Sequence, residues 1–273
     1  MVVLKKLRQF VSSLQDEKGG IATSYYEKSD PNNGWLIKHL LDLEMRDVAS
    51  KFQRYLLNCQ NADGGWEPNG GDVSMISATA SALRGLCDAG VSAHYSAVEG
   101  AVKFLFSHQC KSGGYSETVD IGVPRMKPDL ECGWITAIVI EALYGAGVRI
   151  TTPAFDDAAL FVRKCFWEFR EGIEDQVIMV RALRMANFRV LIETKEMKRR
   201  IDALMPADNG GFPMVSPNLD ITLNILAFLY DIGVREDDVR FRDAVDFVAS
   251  SRNNDGGWPV VLGGKSVLWT SLE

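Results

Sequence analysis

The stretch Gln60-Asn61-Ala62-Asp63-Gly64-Gly65-Trp66 decides the fold, because its pattern recurs along the whole chain. The pattern is a polar or acidic lead-in, two glycines and a large apolar or aromatic residue. Related phrases span residues 15–21, 109–115, 208–212 and 253–258. The glycine pairs begin at Gly19, Gly64, Gly113, Gly210 and Gly256, at intervals of 45, 49, 97 and 46 residues. The interval of 97 is about two periods with one phrase missing, so the sequence predicts six stacked helical repeats.

Each glycine pair separates two segments of helical periodicity. The first segment carries many charges and places apolar residues at helical spacing, as in Phe52, Leu56 and Cys59, which predicts an outer helix. The second is apolar nearly all round, as in residues 135–140, which predicts a buried inner helix. The predicted outer helices span residues 3–14, 47–59, 95–108, 156–169, 193–205 and 238–251. The predicted inner helices span residues 35–44, 73–89, 130–145, 174–186, 219–231 and 266 onward.

Six outer and six inner helices predict an all-α fold, a closed (α/α)6 barrel or toroid of six helix pairs. An open array would expose the apolar faces of its terminal units, which favours closure. The 273 residues could form one large domain or two small ones, but a repeat that runs from end to end favours a single domain over residues 1–273. We expect the inner helices to surround an apolar cavity.

Composition narrows the functional classes. A net charge of -6 gives no reason to expect a nucleic-acid partner, which usually requires a basic face. No run is long and apolar enough to cross a membrane, and the N-terminal residues do not resemble a signal peptide. The five cysteines are odd in number and unclustered, which indicates reduced thiols and predicts a cytoplasmic protein.

The glutamine-to-tryptophan phrase on paired helices resembles the repeats of the triterpene cyclase and protein prenyltransferase β-subunit superfamily. The resemblance extends to squalene-hopene cyclase repeats and the β-domain of class II terpene cyclases. It covers five of the six units and implies an (α/α)6 barrel that either cyclises isoprenoids by protonation or transfers prenyl groups with zinc. Fold alone does not choose between these reactions.

Zinc is not expected. The family's prenyltransferases bind zinc through an Asp and a Cys on one inner helix and a His on a later one. Here Asp129 and Cys132 resemble the first pair, but the only histidines, His39, His94 and His108, all precede it. The usual nitrogen and sulfur set therefore cannot be completed. We predict no metal and no cofactor, with Mg²⁺ as an addition if the substrate is a diphosphate.

The protonating cyclases carry Asp-x-Asp-Asp-Thr-Ala at the start of an inner helix, and the middle Asp donates the proton. Residues 128–132 resemble this motif with Glu131 as the donor. Alignment on Thr136-Ala137 instead places Trp134 at the donor position and predicts Glu174, Asp175 and Asp220 as acids in later units. The resemblance therefore implies catalytic carboxylates at one mouth of the barrel, from this set: Glu131, Glu174, Asp175 and Asp220.

A carboxyl group shielded from water can protonate an alkene, which gives these acids a catalytic role. The alternative is structural, because acidic residues near helix starts also serve as caps favoured by the helix dipole. Aromatic faces near the same mouth would stabilise carbocations, and the predicted set is Tyr25, Tyr26, Trp35, Trp134 and Trp269. Arg125 and Lys127 could bind a diphosphate together with helix N-termini, or be solvated loop cations.

The predicted function is that of an isoprenoid cyclase-like enzyme, making a terpene or meroterpenoid by class II protonation of a prenyl substrate in the barrel. The alternatives are a non-catalytic or partner-dependent prenyl-binding barrel, a zinc-independent prenyltransferase-like protein and, less favoured, a glycan-active (α/α)6 enzyme with paired carboxylates. Related cyclases enclose their cavity with a second helical domain. Loops, a homodimer or a helical partner would take that place here.

Overall fold

A computed structural model describes residues 2–23, 29–68, 72–118, 128, 130–149, 152–168, 172–204, 208–212, 218–259 and 265–267. This part of the chain is mostly helical. Its α-helices are α1 Val2–Ser13, α2 Leu36–Asp42, α3 Arg46–Asn58, α4 Ile76–Asp88, α5 Ser96–Ser107, α6 Gly133–Gly145, α7 Pro153–Glu168, α8 Ile173–Met185, α9 Leu191–Ala203, α10 Leu219–Asp231 and α11 Val239–Ser250. A 3-10 helix, Pro31–Asn33, precedes α2, and strands β1, Trp258–Pro259, and β2, Ser266–Val267, pair antiparallel.

The described residues form two compact units. The first contains α1, α9, α10, α11 and the two strands, and the second contains α2 to α8 together with the glycine loop that follows α1. Within the second unit α6 packs against α4 and α8, while α5 packs on α4 and α7 packs on α6 and α8. The inner helices therefore form a row with outer helices along one side. The single domain over residues 1–273 stays a prediction.

In the repeats that contain a glycine pair, the glycine loop docks on an outer helix of the neighbouring repeat. Gly64 has φ +92, and a Cβ on it would lie 2.5 Å from the carbonyl oxygen of Gly100 in α5, so only glycine fits without strain. The side chain of Gln60 donates at 2.8 Å to Gly64 and at 2.8 Å to Ala97 of the same outer helix. Gln109 repeats the arrangement with Gly113 and Ala154. The recurring glutamine thus joins its own glycine loop to the outer helix of the next repeat.

The first unit contains the same docking, between the two ends of the chain. Gly256 in the last glycine loop lies against Lys6 of α1, with a hypothetical Cβ 2.6 Å from the Lys6 carbonyl carbon. The Lys6 ammonium donates to the Asn254 carbonyl at 3.4 Å. Trp258 donates its indole N–H to Val248 of α11 at 2.6 Å. The last repeat therefore contacts the first outer helix in the way that other loops contact the outer helix that follows them.

Two inner helices begin later than the sequence predicted. Residues 73–75 and 130–132 are not helical, because the chain first pairs back on its glycine loop. Met75 donates its N–H to Trp66 at 2.7 Å, and Cys132 donates to Tyr115 at 2.9 Å. Helices α4 and α6 start directly after these bridges, at Ile76 and Gly133. In the first inner element, by contrast, helical structure begins earlier than predicted, at Pro31, which follows an Asp30 cap.

The prediction of an inner helix from residue 266 is wrong at its start. Ser266 and Val267 form β2, and Val267 pairs with Trp258. The Ser266 hydroxyl donates to Asp255 at 2.7 Å, as the Ser74 hydroxyl donates to Asp63 at 2.7 Å two residues before α4. Residues 268–273 lie outside the described part of the chain.

Candidate active site on the inner helices

The inner face is the side of α4, α6 and α8 that their neighbouring helices leave uncovered. It is marked by a stripe of partly exposed residues on helices whose other positions are almost all buried. On α6 the stripe is Trp134, Ile138 and Glu141, and on α8 it is Glu174, Ile178 and Arg181. These residues are spaced by four and then three, so each set lies on one side of its helix. A ligand bound to this unit would lie along that stripe.

A hydrogen bond that recurs between repeats fixes the register of the inner helices. The backbone N–H that follows the glycine pair donates to a threonine hydroxyl in the fourth position of the helix. The distance is 3.0 Å from Trp66 to Thr79 and from Tyr115 to Thr136. Within the other unit it is 3.0 Å from Phe212 to Thr222. The threonines are therefore equivalent, and they give the inner helices a common register within the chain.

Glu174 is the carboxylate of α8 that lies on the inner face in this register. It is the second residue of α8, as Trp134 is the second residue of α6, and it is partly buried on the inner face. Asp175 follows it but is only 3% exposed and sits where α6 has the fully buried Ile135. The two neighbouring carboxylates thus differ in placement. Glu174 belongs to the inner face and Asp175 to the packed interior.

Glu131 lies outside the helix that contains Trp134, although the predicted inner helix over residues 130–145 included both. It lies two residues before α6 and is not helical, so it does not share a helical face with Trp134. Its carboxylate accepts a hydrogen bond from the Ser112 hydroxyl in the glycine loop. One repeat earlier the two partners are exchanged. The hydroxyl of Ser74, at the position of Glu131, donates to the carboxylate of Asp63, at the position of Ser112. Glu131 is therefore part of the pairing that joins a glycine loop to the next inner helix.

The predicted aromatic and basic residues are only partly accounted for. Trp134 lies on the inner face, and Trp35 lies just before α2 with its ring edge-on to His39 at a centroid distance of 5.6 Å. Asp220 is the second residue of α10, the equivalent of Glu174 in its helix, but its side chain lies outside the described structure. Five further residues lie outside it altogether: Tyr25, Tyr26, Trp269, Arg125 and Lys127.

Glu117 is a buried acid near these helix starts that the sequence analysis missed. Its side chain is 1% exposed and accepts the backbone N–H groups of Ile76 at 3.0 Å and Ser77 at 3.2 Å, at the start of α4. Burial raises its pKa, while the hydrogen bonds oppose that rise. Thr118 beside it donates to Ser74 at 2.5 Å. In the sequence, Glu117 stands out as an acid two residues after Tyr115, the aromatic residue that follows a glycine pair.

A layer of ionisable residues, here called the charged layer, crosses the inner face, and the apolar cavity stays a prediction. The ninth residue of four successive inner elements is ionisable, and these residues are His39, Arg84, Glu141 and Arg181. The Arg84 guanidinium forms an ion pair with Glu141 and approaches Asp88 at 3.6 Å. Burial, with the charges of Lys38 and Arg84, lowers the pKa of His39 to about 4, so this imidazole is neutral at pH 7.

The described residues contain no group of three or more His, Cys, Asp or Glu side chains placed to hold a metal ion. Cys132 is buried, and Asp129 lies outside the described structure. A reaction without metal or cofactor therefore stays a prediction. All five cysteines are free thiols. No helix in the described ranges is both long and apolar enough to span a membrane.

Helix pairs joined by glycine loops, with glutamine side chains that join successive repeats, are typical of α/α toroid proteins. Residues 1–117 and 35–173 match the family model of the prenyltransferase alpha-alpha toroid domain. The chain belongs to that family. The predicted fold class, an all-α (α/α)6 toroid, and the predicted superfamily are both confirmed. A comparison with curated protein sequences found no match.

Solved structures share the fold at low sequence identity. The type II terpene cyclase MstE from Scytonema, bound to its product merosterolic acid A, has a TM-score of 0.70 at 12% identity over 94% of this chain and 81% of that one. A protein from Actinoplanes gives 0.70 at 14% identity over 94% and 82%. An alpha-amylase from Clostridium perfringens gives 0.65 at 14% identity over 94% and 91%. Identities this low establish the fold alone.

Proposed function

We propose that this protein is an isoprenoid cyclase-like enzyme of the class II type, in which Glu174 protonates a prenyl substrate on the inner face. One observation carries the proposal. Glu174 is the inner-face carboxylate that stands two residues before the position of the family's threonine. It is partly buried in the first turn of α8, where a bound hydrocarbon would displace the remaining water. Glu131 and Asp175 are not assigned to the proton transfer, because one is engaged with Ser112 and the other is packed in the interior.

In the proposed reaction the protonated carboxyl group of Glu174 transfers its proton to an alkene carbon of the substrate. A C–H bond forms as the O–H bond breaks, and the positive charge develops on the adjacent carbon. A second alkene attacks that cation and closes a ring, and loss of a proton to solvent or a base ends the sequence. Trp134 lies at the equivalent position of the neighbouring helix, and an indole face stabilises such a cation. The residues thus combine acid and cation stabiliser.

The structural relatives support an amphiphilic substrate. MstE has also been solved with its substrate, geranylgeranyl dihydroxybenzoate, in a structure that is 13% identical to this chain with a TM-score of 0.67. That molecule joins a hydrocarbon chain to a polar ring. The inner face here is also divided. Beside Glu174, the first six positions of α6 and α8 carry Trp134, Ile138 and Ile178 on this face, and the charged layer follows at the ninth position. We propose no metal requirement for the protonation itself, with Mg²⁺ needed only for a diphosphate substrate.

A glycan-active enzyme is the second candidate, and the charged layer is the observation that favours it. The Arg84 guanidinium can donate hydrogen bonds to sugar hydroxyl groups, and the Glu141 carboxylate can accept them. A ligand made only of hydrocarbon would displace water from both groups without replacing its hydrogen bonds, which is unfavourable. The fold of the Clostridium perfringens alpha-amylase is also similar. A prenyl-binding protein without catalysis is the remaining alternative, and in that case Glu174 would act only as a helix cap.

A substrate panel tests the proposal. Purified protein is incubated with linear prenyl diphosphates, with prenylated hydroxybenzoates and, separately, with starch and malto-oligosaccharides, and products are identified by mass spectrometry. We expect cyclic products isomeric with the prenylated compounds and no hydrolysis of the glycans. Glycan cleavage without cyclisation would select the second candidate. Binding of prenyl compounds without any product would select the non-catalytic barrel.

A further inference from the structure

The outer helix α7 exposes hydrophobic side chains on the side that its packing against α6 and α8 leaves open. Leu160 is 55% exposed and Trp167 is 42% exposed, and the two lie seven residues apart on one face of the helix. Pro153, seven residues before Leu160, is exposed on the same face. In α3 and α5, which the structure describes in full, no large hydrophobic side chain is exposed. Leu160 and Trp167 therefore distinguish α7 from the other outer helices of its unit.

The charges on this side of α7 change sign at Leu160. Asp156 and Asp157 come four and three positions before it, and Arg163 and Lys164 come three and four positions after it. At about 100° per residue, all four project within about 60° of Leu160. The hydrophobic line is therefore flanked by acids in its first half and by bases in its second half. This surface, here called the α7 face, comprises Pro153, Asp156, Asp157, Leu160, Arg163, Lys164 and Trp167.

The charges best placed to reach a partner are those of Lys164 and Asp157. The Lys164 ammonium approaches Glu168 at 3.9 Å while its side chain is 61% exposed, and an ion pair of this kind contributes little. The Arg163 guanidinium, by contrast, donates to the carbonyl of Arg189. The backbone of Asp157 lies against a glycine loop, whereas the residue itself is exposed. Substitution of the Lys164 or Asp157 side chain therefore changes the α7 face and leaves the packing beneath it in place.

We propose that the α7 face is a self-association surface, on which a second copy of this chain packs its own α7 in the antiparallel direction, with a two-fold axis at Leu160. Such an axis places the basic half of each helix against the acidic half of the other, and Trp167 against Pro153 of the second copy. Lys164 and Asp157 project to the same side of the hydrophobic line, so Lys164 meets Asp157 of the second copy. A parallel arrangement would place like charges together. The self-complementary pattern of α7 thus specifies a second copy as the partner.

The size of the α7 face predicts a weak dimer. One pair of helices buries less than about 1,200 Å², the lower end for specific complexes, so we expect a dissociation constant of about 1 to 100 µM. Leu160 and Trp167 supply the hydrophobic contact, and the ion pair occurs twice and fixes the direction of packing. Added salt should weaken the dimer, because these charges lie near solvent. The inference does not depend on the proposed function, since α7 contributes no residue to the inner face.

Sedimentation equilibrium of the purified full chain, from about 1 to 200 µM, tests the proposal. We expect a monomer–dimer equilibrium for the wild-type protein. Leu160→Asp, Lys164→Asp and Asp157→Lys should each weaken the dimer at least about tenfold, because each buries an unpaired charge or brings like charges together twice. An equimolar mixture of Lys164→Asp and Asp157→Lys should associate again, since every reversed charge then meets its opposite. Arg54→Asp, a matched charge reversal on the exposed side of α3, should dimerise as the wild type does.

The wild-type protein and the mixture make the test independent of any single variant. Wild-type protein that stays monomeric over the whole range would overturn the inference. A dimer that persists unchanged in Leu160→Asp would place the interface elsewhere and would overturn it too. Thermal melting identifies variants that fold. If Lys164→Asp and Asp157→Lys both melt as the wild type does and their mixture stays monomeric, the antiparallel arrangement is wrong.

Discussion

The carboxylate of Glu117 accepts the backbone N–H of Ile76 at 3.0 Å, although the two residues are 41 positions apart. The glycine loop of one repeat thereby caps the inner helix of the repeat before it. The same carboxylate accepts the N–H of Ser77 at 3.2 Å. Helix N-terminal N–H groups need such partners when they are buried, and the helix dipole favours a negative one. Glu117 therefore holds α4 in register beside the candidate active site.

Glu117→Ala should lower the free energy of unfolding by about 2 to 4 kcal/mol, because two buried N–H groups lose their acceptor. Urea unfolding followed by circular dichroism measures the change. Glu17→Ala, at an exposed loop position, is the control and should stay within about 0.5 kcal/mol of wild type. Equal stability of the two variants would show that Glu117 does not cap α4.

Comparison of Gly64→Ala with Gly90→Ala separates two costs of an added Cβ, which are the clash with the next repeat and the strain of a positive φ. Both glycines have positive φ, +92 and +80, but only Gly64 contacts the next repeat, and a Cβ on Gly90 would meet nothing within 4 Å. Strain should cost both variants about 1 to 2 kcal/mol. The clash with the Gly100 carbonyl should cost Gly64→Ala about 1 to 3 kcal/mol more. Matching melting temperatures would contradict the docking role of the glycine loop.

These glycine loops explain why so much of the fold could be predicted from the sequence. The period and the alternation of charged and apolar helices identified the first five helix pairs and the sixth outer helix correctly, because both are local patterns. The starts of α4 and α6 could not be read in the same way. Met75 and Cys132 continue the apolar pattern but form bridges to Trp66 and Tyr115, which lie earlier in the chain. A long-range hydrogen bond therefore overrides the local helical signal there.

The candidate site was predictable only in part. Glu174 could be proposed from the sequence because the resemblance to the family motif points to one helix position, whereas Glu117 acts through a contact with another repeat. The charged layer was overlooked for a different reason. Arg84, Glu141 and Arg181 recur at one position of successive inner helices, and that register could have been seen by aligning the helices with one another. When the hydrophobicity of each helix is judged as a whole, one charged residue among many apolar ones has little weight.

Glu131→Gln should affect stability and not catalysis. The carboxylate accepts from Ser112 within the glycine loop, so its neutral replacement weakens one charge-assisted hydrogen bond, worth about 1 kcal/mol. Turnover of any accepted substrate should remain within about twofold of wild type. Thermal melting and a steady-state assay on the same preparation give both values. A large loss of turnover with normal melting would restore Glu131 as a candidate acid.

His39 should make the protein less stable as the pH falls from about 6.5 to about 4. Its pKa is near 6.5 in the unfolded chain and about 4 in the folded protein, chiefly because of burial. Over that window the unfolded chain binds the proton more strongly, so up to about 3 kcal/mol of stability is lost on acidification. His39→Gln should flatten this part of the pH profile. His94→Gln removes an exposed histidine whose side chain is 94% accessible, and should leave the profile as it is.

The central claim is that Glu174 donates the proton, and the cyclisation rate of Glu174→Gln tests it most directly. Glutamine keeps the size of the side chain but cannot supply the proton, so turnover should fall by about 10² to 10⁴ while the melting temperature is retained. Glu168→Gln, on the exposed side of α7, should cyclise at the wild-type rate. Wild-type turnover by Glu174→Gln, with normal folding in both variants, would contradict the account.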